Sequence, residues 1–264
     1  MNRRLCSIVL VSLLVFAGCG GAGGAENNEK SMTALVAANM TDAMNALMAE
    51  YEKQNEGTDL EASYDGTQIL FTQIQQGVEA DLFLSADLDF AKQAREEGFI
   101  GSFEPVSQTR EAIIVPKGNP AGIESLEDLG TKEVELVVGV DNVPIGKYTR
   151  QVFANAEKDY GSDFTQRVMD NVVSTETNTK EVTQKAATGE AGASIVYVTD
   201  VTPGVAEKVE QIEIPKEYNV PAQNYAAVLK KSKSPELTRD FLDFILSPEG
   251  QKIIQKFKYE PVDG

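Results

Sequence analysis

The segment Thr33-Ala-Leu-Val-Ala-Ala38 is a short apolar run of the kind that forms a buried strand. Apolar residues at helical spacing follow it directly and end at Tyr51, and a second extended run covers residues 60–64. A strand, a helix and a strand in this order are the βαβ unit of a parallel sheet. The segment therefore predicts an α/β fold, and Asn39 and Thr41 are both candidate N-caps of its helix.

The same alternation continues through the rest of the chain. Further strands are predicted at residues 80–85, 111–115, 135–140 and 193–198, with helices between them and two more helices near the end, at 235–246 and 249–257. The pattern restarts after Gly101, and residues 218–229 are again extended. We therefore expect mostly parallel sheets in two lobes with a cleft between them. Lobe 1 takes residues 31–112 and 221–264, and lobe 2 takes residues 113–220.

Composition excludes several functions. The 264 residues carry a formal charge of -17, which argues against nucleic acid or an anionic membrane surface as a partner, although a small anion could still be held locally. The chain contains no histidine. Ser-His-Asp and Cys-His catalysis and every imidazole metal site are therefore impossible.

The first residues are typical of a targeting segment. Arg3 and Arg4 precede an apolar run that ends Val15-Phe-Ala-Gly-Cys19, too short to span a membrane. This end resembles the bacterial lipoprotein signal, in which the cysteine is lipidated. We expect a signal peptide at 1–18, a lipid on Cys19 and a flexible tether at 19–30. Ordinary secretion and a buried core cysteine are the alternatives.

Small polar residues stand at several turns between strands and helices, where the first N–H groups of a helix have no partner. These turns are residues 37–41, 65–68, 144–146 and 177–180. Helix N-termini attract anions, so several converging turns could hold an oxyanion without lysine or arginine. The alternative is that each polar residue merely caps its own helix.

Four motifs follow one another along the chain. The most specific is Gln73-Ile-Gln-Gln-Gly-Val-Glu-Ala-Asp-Leu-Phe-Leu-Ser-Ala-Asp87. The others are Asp141-Asn-Val-Pro-Ile-Gly-Lys-Tyr148, Ile195-Val-Tyr-Val-Thr-Asp200 and Ser247-Pro-Glu-Gly-Gln251. In this order and spacing the motifs resemble those of a known family, the molybdate-binding proteins of ABC importers within the type II solute-binding proteins. The resemblance covers residues 33–261 and implies the two-lobed type II periplasmic-binding-protein fold, with sheets flanked by helices.

The resemblance also implies a set of ligand residues: Asn39, Thr67, Ile145, Thr179 and Tyr197. Tyr197 would donate its hydroxyl, whereas Ile145, in the Val-Pro turn, would donate a backbone N–H. Asn39 stands where the family has serine, and its longer amide could alter the size of the pocket.

The function implied is binding without chemistry. A monomer outside the cytoplasm, attached to the membrane through the lipid on Cys19, would capture molybdate, and also tungstate, and deliver it to an ABC permease. No catalytic residue, cofactor or free metal cation is expected, and no nucleic acid partner.

Three alternatives remain open. Asp65 could accept a proton from hydrogen phosphate, which makes phosphate the nearest rival ligand, with sulfate as another oxyanion. An enzyme on the same fold would have Tyr197 beside Lys180 as its best pair. A surface protein that binds another protein would need an exposed apolar patch.

Overall fold

The computed structural model describes residues 30–261. The predicted signal peptide at 1–18, Cys19 and the tether up to residue 29 lie outside the described residues, as do residues 262–264. Within the described part, no helix combines the length and the apolar character needed to cross a membrane.

The described residues form ten strands and ten α-helices. The strands are β1 (Lys30–Ala37), β2 (Thr58–Asp65), β3 (Leu82–Ser85), β4 (Glu104–Thr109), β5 (Glu111–Pro116), β6 (Leu136–Gly139), β7 (Val172–Glu176), β8 (Ala193–Tyr197), β9 (Val209–Glu213) and β10 (Ala222–Val228). The helices are α1 (Thr41–Gln54), α2 (Thr67–Gln75), α3 (Leu88–Glu96), α4 (Asp128–Thr131), α5 (Pro144–Tyr160), α6 (Phe164–Asp170), α7 (Thr179–Thr188), α8 (Pro203–Ala206), α9 (Pro235–Leu246) and α10 (Pro248–Gln255).

The strands form two five-stranded sheets, in the orders β2-β1-β3-β10-β4 and β7-β6-β8-β5-β9. The βαβ units pair in parallel, β1 with β2 and β3, and β6 with β7 and β8. The strands beside the crossings between the sheets, β10 and β5, pair antiparallel on both sides. The two-lobed α/β fold is confirmed, and each sheet is mixed rather than mostly parallel.

Two segments join the sheets. The chain leaves the first sheet at Arg110, between β4 and β5, and returns through residues 214–221. Asn219 ties the two segments together, because its Oδ1 accepts the Glu111 N–H at 3.0 Å and its Nδ2 donates to the Glu111 carbonyl at 2.7 Å. The lobe boundary expected between residues 112 and 113 falls inside β5, which pairs entirely in the second sheet.

Each sheet has its own apolar core on both faces. In the first sheet, Met44 and Phe241 are buried on one face, and Leu70 and Phe83 on the other. In the second sheet, a cluster that includes Phe153 is buried on one face and a cluster around Val182 on the other. Burying such side chains stabilises the fold by about 1.5–3 kcal/mol each.

Some local expectations were wrong or incomplete. Neither Asn39 nor Thr41 caps α1, because a short 3-10 helix (Ala38–Met40) precedes it and Met40 occupies the N-cap position without a side-chain bond. The pattern does not predict β4, β7 or β9, which are edge strands of the two sheets. An edge strand has fewer buried positions, so its apolar signal is weak.

Candidate anion-binding site

A cavity lies between the two sheets. The five residues expected at a ligand site all line it: Asn39 and Thr67 come from the first sheet's side, and Ile145, Thr179 and Tyr197 from the second's. The remaining lining residues are Ala37, Ala38, Asp65, Gly66, Ala86, Val143, Pro144, Thr177 and Asn178. No lysine or arginine is among these lining residues, so any anion there would depend on neutral donors.

The start of α2 presents donors to this cavity. Its first backbone bond within the helix runs from the Ile69 N–H to the Gly66 carbonyl at 2.9 Å, so the N–H groups of Thr67 and Gln68 have no carbonyl in the helix. Gly66 at the N-cap has no side chain to cap them. Thr67 Oγ1 accepts the Ala86 N–H at 3.1 Å, which leaves its own proton free to donate.

The start of α5 has the same property. Val143 provides no side-chain cap, Pro144 has no N–H, and the first helical bond runs from the Lys147 N–H to the Val143 carbonyl at 2.9 Å. The N–H groups of Ile145 and Gly146 therefore have no carbonyl in the helix, and Ile145 lines the cavity. Glycine is required at 146, because a Cβ there would lie 2.0 Å from the Val140 carbonyl oxygen.

The start of α7 is partly capped. Asn178 Oδ1 accepts the Glu181 N–H at 3.0 Å, and the Thr179 hydroxyl donates to Asp200 Oδ2 at 2.5 Å. The hydroxyl proton of Thr179 is thus committed to Asp200. The backbone N–H groups of Thr179 and Lys180 have no carbonyl in the helix, and Thr179 lines the cavity.

Asp200 supports this corner of the site from behind. It is fully buried, and its Oδ2 also accepts the Tyr197 N–H at 3.0 Å. Burial raises the pKa of Asp200 to about 6, against the opposing effects of the Lys180 charge and of these hydrogen bonds. Sequence reasoning did not single out Asp200, although it closes the Ile195–Asp200 motif.

Tyr197 contributes a hydroxyl that has no partner. Its side chain is 1% exposed, and no hydrogen-bond partner for its Oη exists among residues 30–261. A buried polar group left unpaired costs about 1–3 kcal/mol. Burial, with Tyr148 and Glu111 next in effect, raises its pKa well above the usual value. The hydroxyl therefore stays protonated and can donate to a group in the cavity.

Asn39 is held by residues from distant parts of the chain. Its Nδ2 donates to Asn224 Oδ1 at 2.9 Å, and Asn224 Nδ2 donates to Ser107 Oγ at 3.0 Å. The Tyr259 hydroxyl donates to the Asn39 carbonyl at 2.7 Å. Sequence reasoning missed these three supporting residues, because no local pattern links them to the turn after β1.

The phosphate alternative depends on Asp65 and the enzyme alternative depends on Lys180, and the structure places these two residues differently. Asp65 lines the cavity, but its Oδ1 accepts the Gly66 N–H at 2.7 Å. Lys180 Nζ lies 3.5 Å from Asp42 Oδ2 rather than in the cavity lining. The structure thus pairs Lys180 with Asp42 instead of with Tyr197.

Several contacts join the two sides around the cavity. Gln68 Nε2 donates to the Thr177 carbonyl at 2.9 Å. Lys147 Nζ lies 2.8 Å from the buried Asp87 carboxylate and also pairs with Asp89. Lys258 Nζ donates to the Val201 carbonyl at 2.7 Å. The cleft is therefore closed in this structure, and closing excludes water and strengthens every bond inside.

The chain matches a family model described as bacterial extracellular solute-binding protein, over residues 32–260. A molybdate-binding protein, ModA, of Mycobacterium tuberculosis is 30% identical over 97% of this chain and 96% of its own length. A putative ABC transporter substrate-binding lipoprotein, YvgL, of Bacillus subtilis is 26% identical over 95% of each chain.

A solved structure is also similar to this chain. The substrate-binding domain of a putative molybdenum ABC transporter from Clostridium difficile is similar with a TM-score of 0.67 at 26% identity, over 88% of this chain and 99% of that one. The match extends across both sheets and therefore across the cavity between them.

Proposed function

Because the chain belongs to the bacterial extracellular solute-binding proteins, we propose that its cavity captures molybdate and that the closed protein delivers this anion to an ABC permease. The M. tuberculosis relative named for molybdate supports the choice of ligand. Asn39, Thr67, Ile145, Thr179 and Tyr197 are the proposed ligand residues, through side-chain donors or backbone N–H groups. Tungstate, which has the same charge and tetrahedral shape, is proposed as a second ligand.

The unpartnered hydroxyl of Tyr197 is the observation that carries this proposal. Tyr197 lines the same cavity as Thr67, Ile145 and Thr179, which stand in the first turns of α2, α5 and α7. All these donors are neutral, and each helix start adds roughly half a positive charge from its macrodipole. A tetrahedral dianion accepts hydrogen bonds in every direction, so it suits a cavity surrounded by donors from both sheets.

Calorimetric titration of a soluble form that begins after Cys19 tests the ligand. We expect saturable binding of molybdate and tungstate and weaker binding of the smaller sulfate. A ligand at 100 times its Kd also raises the free energy of unfolding by roughly 2.7 kcal/mol, which a melting curve detects. Equal affinity for all anions would contradict the choice of molybdate.

Phosphate is a second candidate because Asp65 lines the cavity. A carboxylate could accept the proton of hydrogen phosphate, whereas it repels an oxyanion without a proton. If phosphate is the ligand, Asp65→Asn weakens phosphate binding; if molybdate is the ligand, the same change leaves or improves affinity. If the wild type binds phosphate more tightly than molybdate, phosphate becomes the proposed ligand.

We further propose that the protein performs no catalysis on its ligand. One relative is named a molybdate-binding protein and another a putative ABC transporter substrate-binding lipoprotein, and the Lys180 that an enzyme could use is paired with Asp42. Recovery of the bound anion unchanged after prolonged incubation is expected. Steady turnover of any candidate substrate would contradict it.

Attachment to the outer face of the membrane, or to the periplasmic side, through a lipid on Cys19 completes the proposal. The name of the B. subtilis relative supports a lipoprotein. A single acyl chain anchors only weakly, so more than one chain is expected. Mass spectrometry of the native N-terminus tests this, and an unmodified N-terminus at another site would reject it. We also propose a monomer, which light scattering of the soluble form measures.

A further inference from the structure

Asn39 ends a buried chain of three polar side chains. Asn39 Nδ2 donates to Asn224 Oδ1 at 2.9 Å, and Asn224 Nδ2 donates to Ser107 Oγ at 3.0 Å. Asn224 and Ser107 face each other on β10 and β4. Both are at most 1% exposed. Since bulk water does not compete for these atoms, the protein itself sets the direction in which the three side chains donate.

When the three side chains donate in the direction that the structure shows, one polar atom of Asn39 has no hydrogen-bond partner among the described residues. Asn39 Oδ1 is buried, and nothing in the described part of the chain donates to it. Asn39 lines the cavity, and one of the two protons on its Nδ2 is already donated to Asn224. The amide therefore offers an acceptor near the place where the oxygens of a bound anion would lie, and two acceptors repel each other.

The same side chains can donate in the opposite direction. The oxygen and nitrogen of an asparagine amide have nearly the same shape, so a half-turn of both amides exchanges donor and acceptor. The Ser107 hydroxyl then donates to Asn224 Oδ1, and Asn224 Nδ2 donates to Asn39 Oδ1. Ser107 gives up only a weak contact with the Met40 sulfur at 3.6 Å. Asn39 Nδ2 becomes free to donate to an anion.

We propose that Asn224 and Ser107 are positioning residues that turn the Asn39 amide so that it donates to a bound oxyanion, an inference that rests on the proposed function. In the reversed direction Asn39 Oδ1 gains its missing donor. The direction also affects selectivity. Molybdate has no proton and needs the donating amide, whereas the O–H of hydrogen phosphate can bond to Asn39 Oδ1 in the direction that the structure shows.

The substitution Asn224→Asp tests the role of direction. A carboxylate only accepts, so it holds Asn39 Nδ2 and keeps Asn39 Oδ1 toward the cavity. We expect molybdate affinity to fall about ten- to hundredfold, the usual effect of losing a bond to a charged group. Phosphate affinity should fall less. Gln223→Glu is the matched control, because it adds the same charge one residue away on the opposite face of β10 and should leave molybdate affinity unchanged.

The substitution Asn39→Ser separates two effects of Asn224→Asp: the direction in which the amide of residue 39 donates, and the negative charge that the aspartate adds. A serine hydroxyl can rotate to donate without help from Asn224, so Asn224→Asp should change molybdate affinity by less than about threefold in this background. An equal loss in both backgrounds would show that the added charge causes it, and would overturn the inference.

Ser107→Ala provides a second, uncharged test, which also serves if Asn224→Asp does not fold. It removes the hydroxyl that starts the reversed chain, and we expect a several-fold loss of molybdate affinity that disappears in the Asn39→Ser background. If the wild type binds molybdate and neither variant changes its affinity, the inference is wrong while the proposed function stands. If the wild type binds none of molybdate, tungstate, sulfate and phosphate, both the inference and the proposed function are wrong.

Discussion

The helices α2 and α3 follow the two strands that flank β1 in the same sheet, yet their first turns are completed in opposite ways. α3 begins after Asp87, whose carboxylate accepts the Asp89 N–H at 2.6 Å. α2 begins after Gly66, which has no side chain, and Gly66 and Thr67 line the cavity. One helix start is completed by the chain itself, and the other remains open for a ligand.

The same contrast separates α10 from α5. Ser247 caps α10 with its side chain, whereas Val143 and Pro144 open α5 at the cavity without a cap. A missing cap does not define a site, because α9 also lacks a side-chain cap after Ser234 and contributes nothing to the cavity lining. What distinguishes α2 and α5 is that their open starts meet in one cavity with an unpaired tyrosine hydroxyl. Substituting a capping residue should therefore lower the melting temperature, and substituting a cavity residue should lower the affinity for the anion.

The largest effect is expected for Gly66→Ala. A Cβ at this position would lie 2.5 Å from the Thr177 carbonyl oxygen, which belongs to the opposite side of the cleft. The cleft cannot close fully, and the Thr67 and Gln68 N–H groups lose their reach together. We expect titration to show a loss of molybdate affinity of about hundredfold or more, as for two bonds lost at once.

The backbone at Gly66 has φ -60°, which alanine adopts without strain, so the melting temperature without ligand should stay near that of the wild type. Gly101→Ala is the control, because a Cβ there meets nothing within 4 Å. Wild-type affinity in Gly66→Ala would mean that the open start of α2 does not serve the cavity.

Tyr197→Phe should have the next largest effect. If the buried hydroxyl donates to the anion, its loss costs about 1.5–3 kcal/mol, or roughly ten- to hundredfold in affinity. Removing an unpaired buried hydroxyl should leave the melting temperature of the free protein equal to or above that of the wild type. Titrations of both proteins side by side measure this. Unchanged affinity would make Tyr197 a core aromatic residue and weaken the other proposed ligand positions.

Lys147→Met should have a smaller effect, because it breaks a contact across the cleft rather than one with the anion. Lys147 bonds to Asp87, which still caps α3, and to the exposed Asp89. Lys147 is 35% exposed, and the buried Asp87 carboxylate keeps the Asp89 N–H as a donor after the change. We therefore expect the loss to stay near that of a partly exposed ion pair, about 1 kcal/mol, so affinity should fall by about fivefold or less, mainly through faster release.

Lys185→Met is the matched control for Lys147→Met. Lys185 is as exposed as Lys147 and pairs with Glu190 at 2.6 Å, but both residues lie on one side of the cleft. Equal losses of affinity in the two variants would show that net charge, and not the contact across the cleft, is responsible.

The sequence predicts the fold well where apolar residues are continuous. The strand at residues 80–85 and the helix at 235–246 are found within two residues of the observed bounds, because buried strands and amphipathic helices have strong periodic patterns. The antiparallel pairing of β10 and β5 is not predictable in this way. It depends on where the chain crosses between the sheets, which no local pattern records.

The sequence predicts the residues that offer hydrogen-bond donors to the cavity. It does not predict the residues that hold those donors in place. The turns at residues 65–68 and 144–146 show open helix starts directly in the sequence, and the resemblance adds Tyr197. Asn224 lies 185 residues from Asn39, and Glu111, whose charge helps to raise the pKa of Tyr197, pairs with Tyr197 across β5 and β8. Such contacts follow from tertiary packing, so a sequence gives no signal for them.

Ser247→Ala is expected to have the smallest effect on affinity, namely none, and so it tests the other side of the contrast. Ser247 Oγ accepts the Gly250 N–H at 3.1 Å and donates to the Phe244 carbonyl at 2.7 Å. Losing an N-cap costs about 1 kcal/mol, which lowers Tm by about 2–4 °C in a protein of this size. Because α10 contributes no residue to the cavity lining, the rise in Tm that saturating molybdate produces should equal that of the wild type. Melting curves with and without molybdate measure both quantities. A loss of affinity in Ser247→Ala without a fall in Tm would show that helix starts cannot be divided into those that stabilise the fold and those that hold the ligand.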